Sequence, residues 1–269
     1  MNNIAFLGAG NMASAIVDGL LRTGVIAAEN LTCLSASGQS AAQLSARTGI
    51  RHAVTPNELL EHGDVLVVAF KPKHLTAATA AIYAPLTAGK LVISLLAGKT
   101  LAQLHAVFPQ ARNIVRTMPN TPARIGAGVT AWCSRQPLTT DDRAMVCSLL
   151  EALGTQLEVA ETQMDAITAI SGSGPGFFFE YAAAVREAAV TAGLSADVAH
   201  TLTVQTLLGS ARLLAQTGTD PETLRDQVTS PNGTTHAGLG VLARADFRAL
   251  VRKTVLAARD RAGEISRES

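Results

Sequence analysis

The sequence predicts an α/β fold: a doubly wound parallel sheet over residues 1–160, followed by an all-α domain over residues 161–269. Three observations predict it. Short apolar runs alternate with helix-like segments through the first part, a glycine elbow follows the first run at once, and no convincing strand occurs after about Ala160. The 269 residues suffice for two ordinary domains.

The elbow organises the first domain. Ile4–Leu7 is a short apolar run. Gly8-Ala9-Gly10 turns the chain, and Ile16, Val17, Leu20 and Leu21 then recur at helical spacing. Gly8 permits the sharp turn, and Gly10 lets a phosphate approach because no Cβ intervenes. The free N–H groups of Asn11 and Met12 at the helix start then face the anion. Ala13 takes the third glycine position of a Rossmann-type fingerprint. By itself such a turn also serves as a plain structural bend.

Further strands are expected at Leu31–Leu34, Val65–Phe70, Leu91–Leu95, Asn113–Thr117 and Val129–Cys133. Several are apolar throughout, as strands covered on both faces by helices are. Between them, Thr55-Pro56-Asn57-Glu58 sets a cap, a proline at the first helical position and a capping-box glutamate, and Thr100 with Gln103 repeats the box. In the second domain helices are expected at Gly174–Ala192, Asp197–Gln216, Pro221–Gln227, Gly233–Arg244 and Phe247–Ile265, with Asp220-Pro221 and Asp246 as helix starts.

Composition narrows the function. Hydrophobic residues make up 48%, while 16% charged and 4% aromatic are both low, so some apolar surface is expected to be covered by another subunit. Two helices sharpen this. Phe177–Val190 carries only Glu180, Arg186 and Glu187 as charges, and Val198–Ala215 only Arg212 besides His200. Helices without a wet face must be enclosed by protein, which predicts a homodimer through this domain. A net charge of +1 without a basic cluster gives no basis for nucleic-acid or membrane binding. No apolar stretch approaches the ~18 residues of a membrane span, and the N-terminus does not read as a signal peptide. Cys33, Cys133 and Cys147 are scattered, without metal-ligand spacing; no metal site is expected, and reduced thiols suit a soluble, cytoplasmic protein.

The cofactor reading rests on the end of the second strand. An acidic residue there normally takes the ribose hydroxyls of NAD. Leu34–Ser40 has none, and Ser35, Ser37 and Ser40 are able to donate hydrogen bonds to a 2′-phosphate, so NADPH is favoured with NADH possible. No arginine sits beside the serines; Arg47 and Arg51 are nearest. A serine-rich loop that merely turns the chain fits either cofactor. The third and fourth long strands end at Ala69-Phe70-Lys71-Pro72 and Leu96-Ala97-Gly98, where ligands sit on an open parallel sheet, so Ala69, Lys71 and Ala97 are cofactor candidates. Lys71-Pro72 equally reads as the start of a surface helix.

Three later segments are more specific: Arg116-Thr117-Met118-Pro119-Asn120-Thr121-Pro122, Ser171-Gly172-Ser173-Gly174-Pro175, and Thr229-Ser230-Pro231-Asn232-Gly233-Thr234-Thr235. With the opening Gly-x-Gly-Asn-Met-Ala they resemble the pyrroline-5-carboxylate reductase family, in order and spacing, over essentially the whole chain. The resemblance implies reduction of Δ1-pyrroline-5-carboxylate to L-proline by NADPH or NADH, the last step of proline biosynthesis. It further implies intertwined dimers, often assembled into decamers. It implies a cofactor-side position for Asn57, a substrate-side contact for Glu161, and a Thr235 hydroxyl that reaches the imine nitrogen. Ser173-Gly174-Pro175 would open the helix that shapes the pocket.

The residues make chemical sense of this. Ser230-Pro231 reads as a helix start, which would leave the N–H groups of Gly233, Thr234 and Thr235 unsatisfied and ready for a carboxylate. The loop fixes that carboxylate while the nicotinamide meets the imine. A protonated imine is already electrophilic, so alignment matters more than acid–base help, and Thr235 or a water relays any proton. The chain departs from the family pattern at Asn232, where a glycine is usual, at Gly176-Phe177 in place of Ala-Tyr, and at Ala183 in place of a glutamate. Asn tolerates left-handed backbone angles. Two other readings are a β-hydroxyacid dehydrogenase, which needs a catalytic lysine where this half offers only Lys253, and a non-catalytic nucleotide-binding protein.

Overall fold

The computed structural model describes residues 3–61 and 63–268. The chain forms two compact units, one holding everything up to Ser173 together with the chain from Ala258 on, the other Gly174–Ala257. The expected boundary lay at 160/161. The segment between packs with the sheet instead, because Glu161 and Asp165 sit at a buried arginine described below.

In the first unit, β1 (Ile4–Leu7), β2 (Leu31–Leu34), β3 (Arg51–His52), β4 (Val65–Val68), β5 (Leu91–Ser94), β6 (Asn113–Met118), β7 (Gly128–Ser134) and β8 (Gly154–Glu158) form one sheet. Their order is β3-β2-β1-β4-β5-β6-β7-β8. Helices α1 (Asn11–Thr23), α2 (Gln39–Thr48), α3 (Pro56–Glu61), α4 (Ala77–Tyr83), α5 (Leu101–Val107) and α6 (Thr140–Glu151) connect the strands, and the four-residue α7 (Met164–Ile167) follows β8. The strand order reverses at β1/β4, where β1 pairs in parallel with both β2 and β4. That switch point is where an open α/β sheet places its ligand crevice.

The all-apolar strands have the predicted cause. Ile4, Phe6, Val65 and Val67 pack into one core layer, with Ile16, Leu20 and Trp132. Their neighbours Ala5, Leu7, Leu66 and Val68 pack into the other, with Leu59, Leu104 and Phe108. Alternate side chains thus enter opposite layers, and all four residues of β1, β4 and β5 are buried.

The sheet is not wholly parallel. β6 and β7 pair antiparallel, Val115 opposite Ser134 and Met118 opposite Ala131. Only residues 119–127 join them, containing a 3-10 turn at Thr121–Ile125, and that is too short for a helical crossover. Two strands were not expected. β3 has two residues, and β8 reads Gly-Thr-Gln-Leu-Glu, a polar edge strand without an apolar run.

After α7 a single π-turn spans Thr168–Gly172. The second unit holds α8 (Gly174–Thr191), α9 (Ala196–Thr217), α10 (Pro221–Gln227) and α11 (Thr234–Arg244), and α12 (Phe247–Glu268) begins in it. These are the expected helices, with ends displaced by up to three residues. Along α8 and α9 only Gly174, Ala199 and Thr203 are buried. Phe178 is 69% and Phe179 65% exposed, and Leu202, Leu213, Val241 and Leu250 also face outward. Among the described residues no helix is long and apolar enough to cross a membrane.

Candidate active site: a nucleotide cleft and an anion-binding helix start

A cleft of about 790 Å³ opens at the β1/β4 switch point. Gly8 forms its floor at φ 112°, and its N–H donates to Leu34 O at 2.8 Å. A Cβ here would stand 2.7 Å from the carbonyl carbon and oxygen of Ala69, so β1 and β4 approach this closely only across a glycine. Gly10 differs. It is the extended N-cap of α1, and a Cβ on it would meet no protein atom within 4 Å. No side chain caps α1, so the N–H groups at its start, Asn11 and Met12 among them, point into the open side. The cradle fits a dinucleotide pyrophosphate: one glycine is fixed by the fold, the other leaves room for a ligand.

Gly8, Gly10, Ser35, Ser37, Ala69 and Lys71 of the cofactor candidates line this cleft, together with Ser40. Asn11, Met12, Asn57 and Ala97 do not: Asn11 and Met12 follow the lining residue Gly10 at the start of α1, Asn57 lies exposed on α3, and Ala97 lies exposed after β5. Ser35 has a second task. Gly38, the N-cap of α2, sits at φ 73° without a side chain, and Ser35 Oγ accepts the Ala41 N–H at 3.1 Å in its place. Its hydroxyl proton stays free to donate. Arg47 is committed elsewhere, paired with Asp18 at 2.7 and 3.0 Å. The basic cleft residues without an assigned role in the sequence are Lys73 and His74. A 3-10 turn at Pro72–His74 brings both to the cleft wall beside Lys71. Among the described residues no Asp or Glu lines the cleft. The signal was present in the run Lys71-Pro72-Lys73-His74, three basic side chains at a strand end without an acid nearby.

Beyond β5 and β6 lies a polar network around Arg116, which is 5% exposed. Its Nη1 donates to Glu161 Oε1 at 3.0 Å, and Asp165 stands 4.0 Å from Nη2. The same Oε1 accepts the N–H of Leu101, the first residue of α5, at 2.7 Å. Ser266 Oγ donates to Asp165, and Gln103 Nε2 donates to Ser266 O at 3.1 Å. Glu161 therefore neutralises a buried arginine and caps a helix, so Oε1 is occupied and only Oε2 is without a partner among the described residues. The π-turn brings Gly172 against the Met118 methyl, a contact that a Cβ on Gly172 would block. Two of the signature segments thus meet at Met118 and Gly172.

The third signature segment corrects an expectation. Ser230-Pro231 is not a helix start. Ser230–Gly233 is a β-turn with Pro231 at its second position, Asn232 at φ 61° and Gly233 N–H donating to Ser230 O at 3.0 Å. Proline presets the φ that position requires, and a left-handed third residue completes a type II turn. Helix α11 begins at Thr234, with Gly233 as an N-cap that has no side-chain bond. The Gly233 N–H is accordingly spent within the turn. The N–H groups without a partner among the described residues are those of Thr234, Thr235 and His236. A Cβ on Gly233 would run into Ser230 Oγ, which would have to rotate away, and would stand 3.1 Å from Ser230 O. Thr235 is half-buried and Thr234 exposed.

Among the described residues no group of three or more His, Cys, Asp or Glu side chains is placed to hold a metal ion. Burial pushes the Cys33 and Cys133 thiols up to about 11, with the Glu161 carboxylate adding to the effect at Cys133.

Residues 161–265 match the family model described as pyrroline-5-carboxylate reductase dimerisation, and residues 3–98 match NADP oxidoreductase coenzyme F420-dependent. A pyrroline-5-carboxylate reductase of Pseudomonas aeruginosa is 36% identical over 266 residues, covering 98% of this chain and 97% of that protein. The chain belongs to the pyrroline-5-carboxylate reductase family. Solved structures agree. The pyrroline-5-carboxylate reductase of Coxiella burnetii superposes with a TM-score of 0.91 at 34% identity, over 98% of both chains. That of Plasmodium falciparum, solved with NADP bound, gives 0.86 at 29% identity, again over 98% of both. Membership of this reductase family removes the ground for the β-hydroxyacid dehydrogenase and non-catalytic readings, and Lys253 lies exposed on α12.

Proposed function

We propose that this protein reduces Δ1-pyrroline-5-carboxylate to L-proline with NADPH, NADH being the weaker donor. The observation that carries the reading is the start of α11, where a proline turn leaves three N–H groups free beside Thr235 in a chain whose full-length relatives are named for this substrate. The substrate has one carboxylate and one ring imine. The N–H groups of Thr234, Thr235 and His236, backed by the helix dipole, take the carboxylate, with Gly233 setting the cap geometry. The Thr235 hydroxyl orients the imine nitrogen, which keeps its proton as it becomes an amine. No strong acid or base is required, since the iminium is already electrophilic.

NADPH, when bound, supplies the hydride. The residues that hold it are Gly8, Gly10, Asn11 and Met12 at the pyrophosphate, and Ser35 and Ser37 with Lys71 at the 2′-phosphate. Ala69 lines the path toward the nicotinamide; Ala97, at the end of β5, and Asn57 lie outside the cleft lining, and their cofactor roles rest on strand-end position and on the family resemblance. Glu161 borders the substrate side through its free Oε2. By role, residues 1–160 serve the cofactor and 161–269 the substrate and dimerisation, although residues 161–173 and the chain from Ala258 on fold with the sheet unit. The homodimer forms through the apolar faces of α8 and α9, and decamers are the higher assembly that the family implies. Three free cysteines support a reducing, cytoplasmic setting.

Steady-state kinetics with pyrroline-5-carboxylate test the reading. Turnover with both nucleotides and a higher kcat/KM for NADPH is expected. Failure to oxidise either nucleotide in the presence of this substrate would refute it.

A further inference from the structure

The turn that delivers α11 contains a departure from the family pattern, Asn232 where glycine is usual, and the structure shows how the chain accommodates it. Asn232 lies at φ 61°. Among the described residues only Asn232 and Asp246 adopt positive φ without being glycine. A side chain makes that region unfavourable, so an unsupported Asn232 has negative-φ conformers open to it, and these would swing Gly233 and the first turn of α11. The support comes from one turn further on. The Asn232 N–H donates to His236 Nδ1 at 3.3 Å. His236 is the third residue of α11, the position from which a glutamate or glutamine reaches back in a capping box. Here the N-cap is a glycine, and the imidazole reaches one residue further out, to the residue with the strained backbone.

We infer that His236 is a positioning residue for substrate binding: its Nδ1 lone pair holds Asn232 in the left-handed conformation and thereby fixes the N–H groups of Thr234, Thr235 and His236 that receive the substrate carboxylate. The inference rests on the carboxylate role proposed for this helix start. The imidazole itself need not touch the substrate, and the His236 backbone N–H survives any side-chain change. The need for His236 is conditional on Asn232, because a glycine holds the same angle unaided. The two positions should therefore be energetically coupled.

The test uses the full-length enzyme as wild type, H236L, H236Q, N232G and the double variant N232G/H236L. Leucine removes the acceptor, glutamine retains one, and glycine removes the need for it. For H236L the KM for pyrroline-5-carboxylate should rise about five- to tenfold, the range expected for losing one hydrogen bond, with the KM for NADPH and the Tm unchanged. H236Q should stay within about twofold of wild type, and in the N232G background the leucine should cost less than about twofold. An unchanged KM in H236L, an equal cost in both backgrounds, or no recovery by H236Q would overturn the inference. Amide hydrogen exchange gives a readout independent of substrate. Protection of the Asn232 N–H should be present in wild type and lost in H236L, and equal exchange in the two would overturn the inference whatever the activity. Absence of turnover in the wild type, with the exchange difference intact, would refute the substrate assignment and leave the positioning contact standing.

Discussion

Replacing Ser35 with aspartate addresses the cofactor preference directly. Ser35 lines the cleft at the end of β2, and its Oγ already accepts the Ala41 N–H, a bond that one aspartate oxygen can retain. The other oxygen would place a negative charge in a cleft that no Asp or Glu among the described residues lines, and that Lys71, Lys73 and His74 also line. Two unit charges about 5 Å apart at an effective dielectric of about 40, suited to a half-open cleft, repel by about 1.7 kcal/mol, and a phosphate dianion by about twice that. The kcat/KM for NADPH should therefore fall by roughly twenty- to three-hundredfold. NADH should gain, since a carboxylate in this position accepts from the ribose hydroxyls. The assay is kcat/KM for each nucleotide at fixed pyrroline-5-carboxylate, repeated at higher salt, where the penalty should shrink. Ser35→Ala is the comparison: it removes the bond to Ala41, at about 1 kcal/mol of stability, together with the hydroxyl proposed at the 2′-phosphate, so the preference for NADPH should drop, but by less than in S35D because no negative charge is added. A ratio that moves less than threefold in S35D, or equally in both variants, would refute the reasoning.

Other consequences follow from particular contacts. Thr235→Ala should lower kcat at least about tenfold, the scale of one lost orienting hydrogen bond in a transition state, while NADPH binding measured by fluorescence titration stays intact; unchanged turnover removes Thr235 from the mechanism. Because Phe178 and Phe179 are exposed in the isolated chain, folding should be coupled to association: the Tm should fall on dilution, and light scattering that finds a stable folded monomer would contradict the dimer. Burial pushes the Cys33 and Cys133 thiols up from 9.0 to about 11, so between these values the unfolded chain releases protons that the folded chain retains. Stability is thus intact below pH 9 and falls as pH rises from 9 to 11, by about 2–3 kcal/mol per thiol at most, and Tm–pH profiles of the Cys33→Ala and Cys133→Ala variants should be flatter over that range.

Where one local rule governed the outcome, the sequence was legible. The elbow at Gly8–Gly10 follows from a steric demand that only glycine meets, and the structure shows that demand in the Gly8–Ala69 approach. The capping box at Thr100/Gln103 forms as the spacing requires, and half of the one at Thr55/Glu58 does: Thr55 Oγ1 accepts the Glu58 N–H, while the Glu58 carboxylate accepts the N–H of Val54, one residue before the cap. Legibility ended where two rules competed for the same residues. Ser230-Pro231 satisfies both a helix start and a type II turn, and the choice falls to Asn232, whose positive φ is compatible only with the turn. β8 carries no pattern of its own and exists because β7 offers an unpaired edge, Gly128 opposite Gly154 through Trp132 opposite Glu158. The role of Glu161 was hidden for a similar reason. Its partner Arg116 lies forty-five positions earlier in sequence, and only the fold brings them together.

The low charge content has its explanation in the division between the two units. The sheet unit satisfies itself, since its strands bury both faces within the same chain. The helical unit does not. Its two longest complete helices, α8 and α9, together bury one glycine, one alanine and one threonine, while phenylalanines, leucines and valines face outward along their length. Fixing each residue of such a helix costs about 1–2 kcal/mol of backbone entropy, and a buried large apolar side chain returns about 1.5–3. With almost no large side chain buried within the chain, that return must come from surface covered on association. The same argument bears on catalysis, because the helix start proposed to bind the substrate carboxylate belongs to this unit. Were that unit stabilised by association, a substrate site on it would tie activity to the oligomer, and activity should then fall with Tm on dilution.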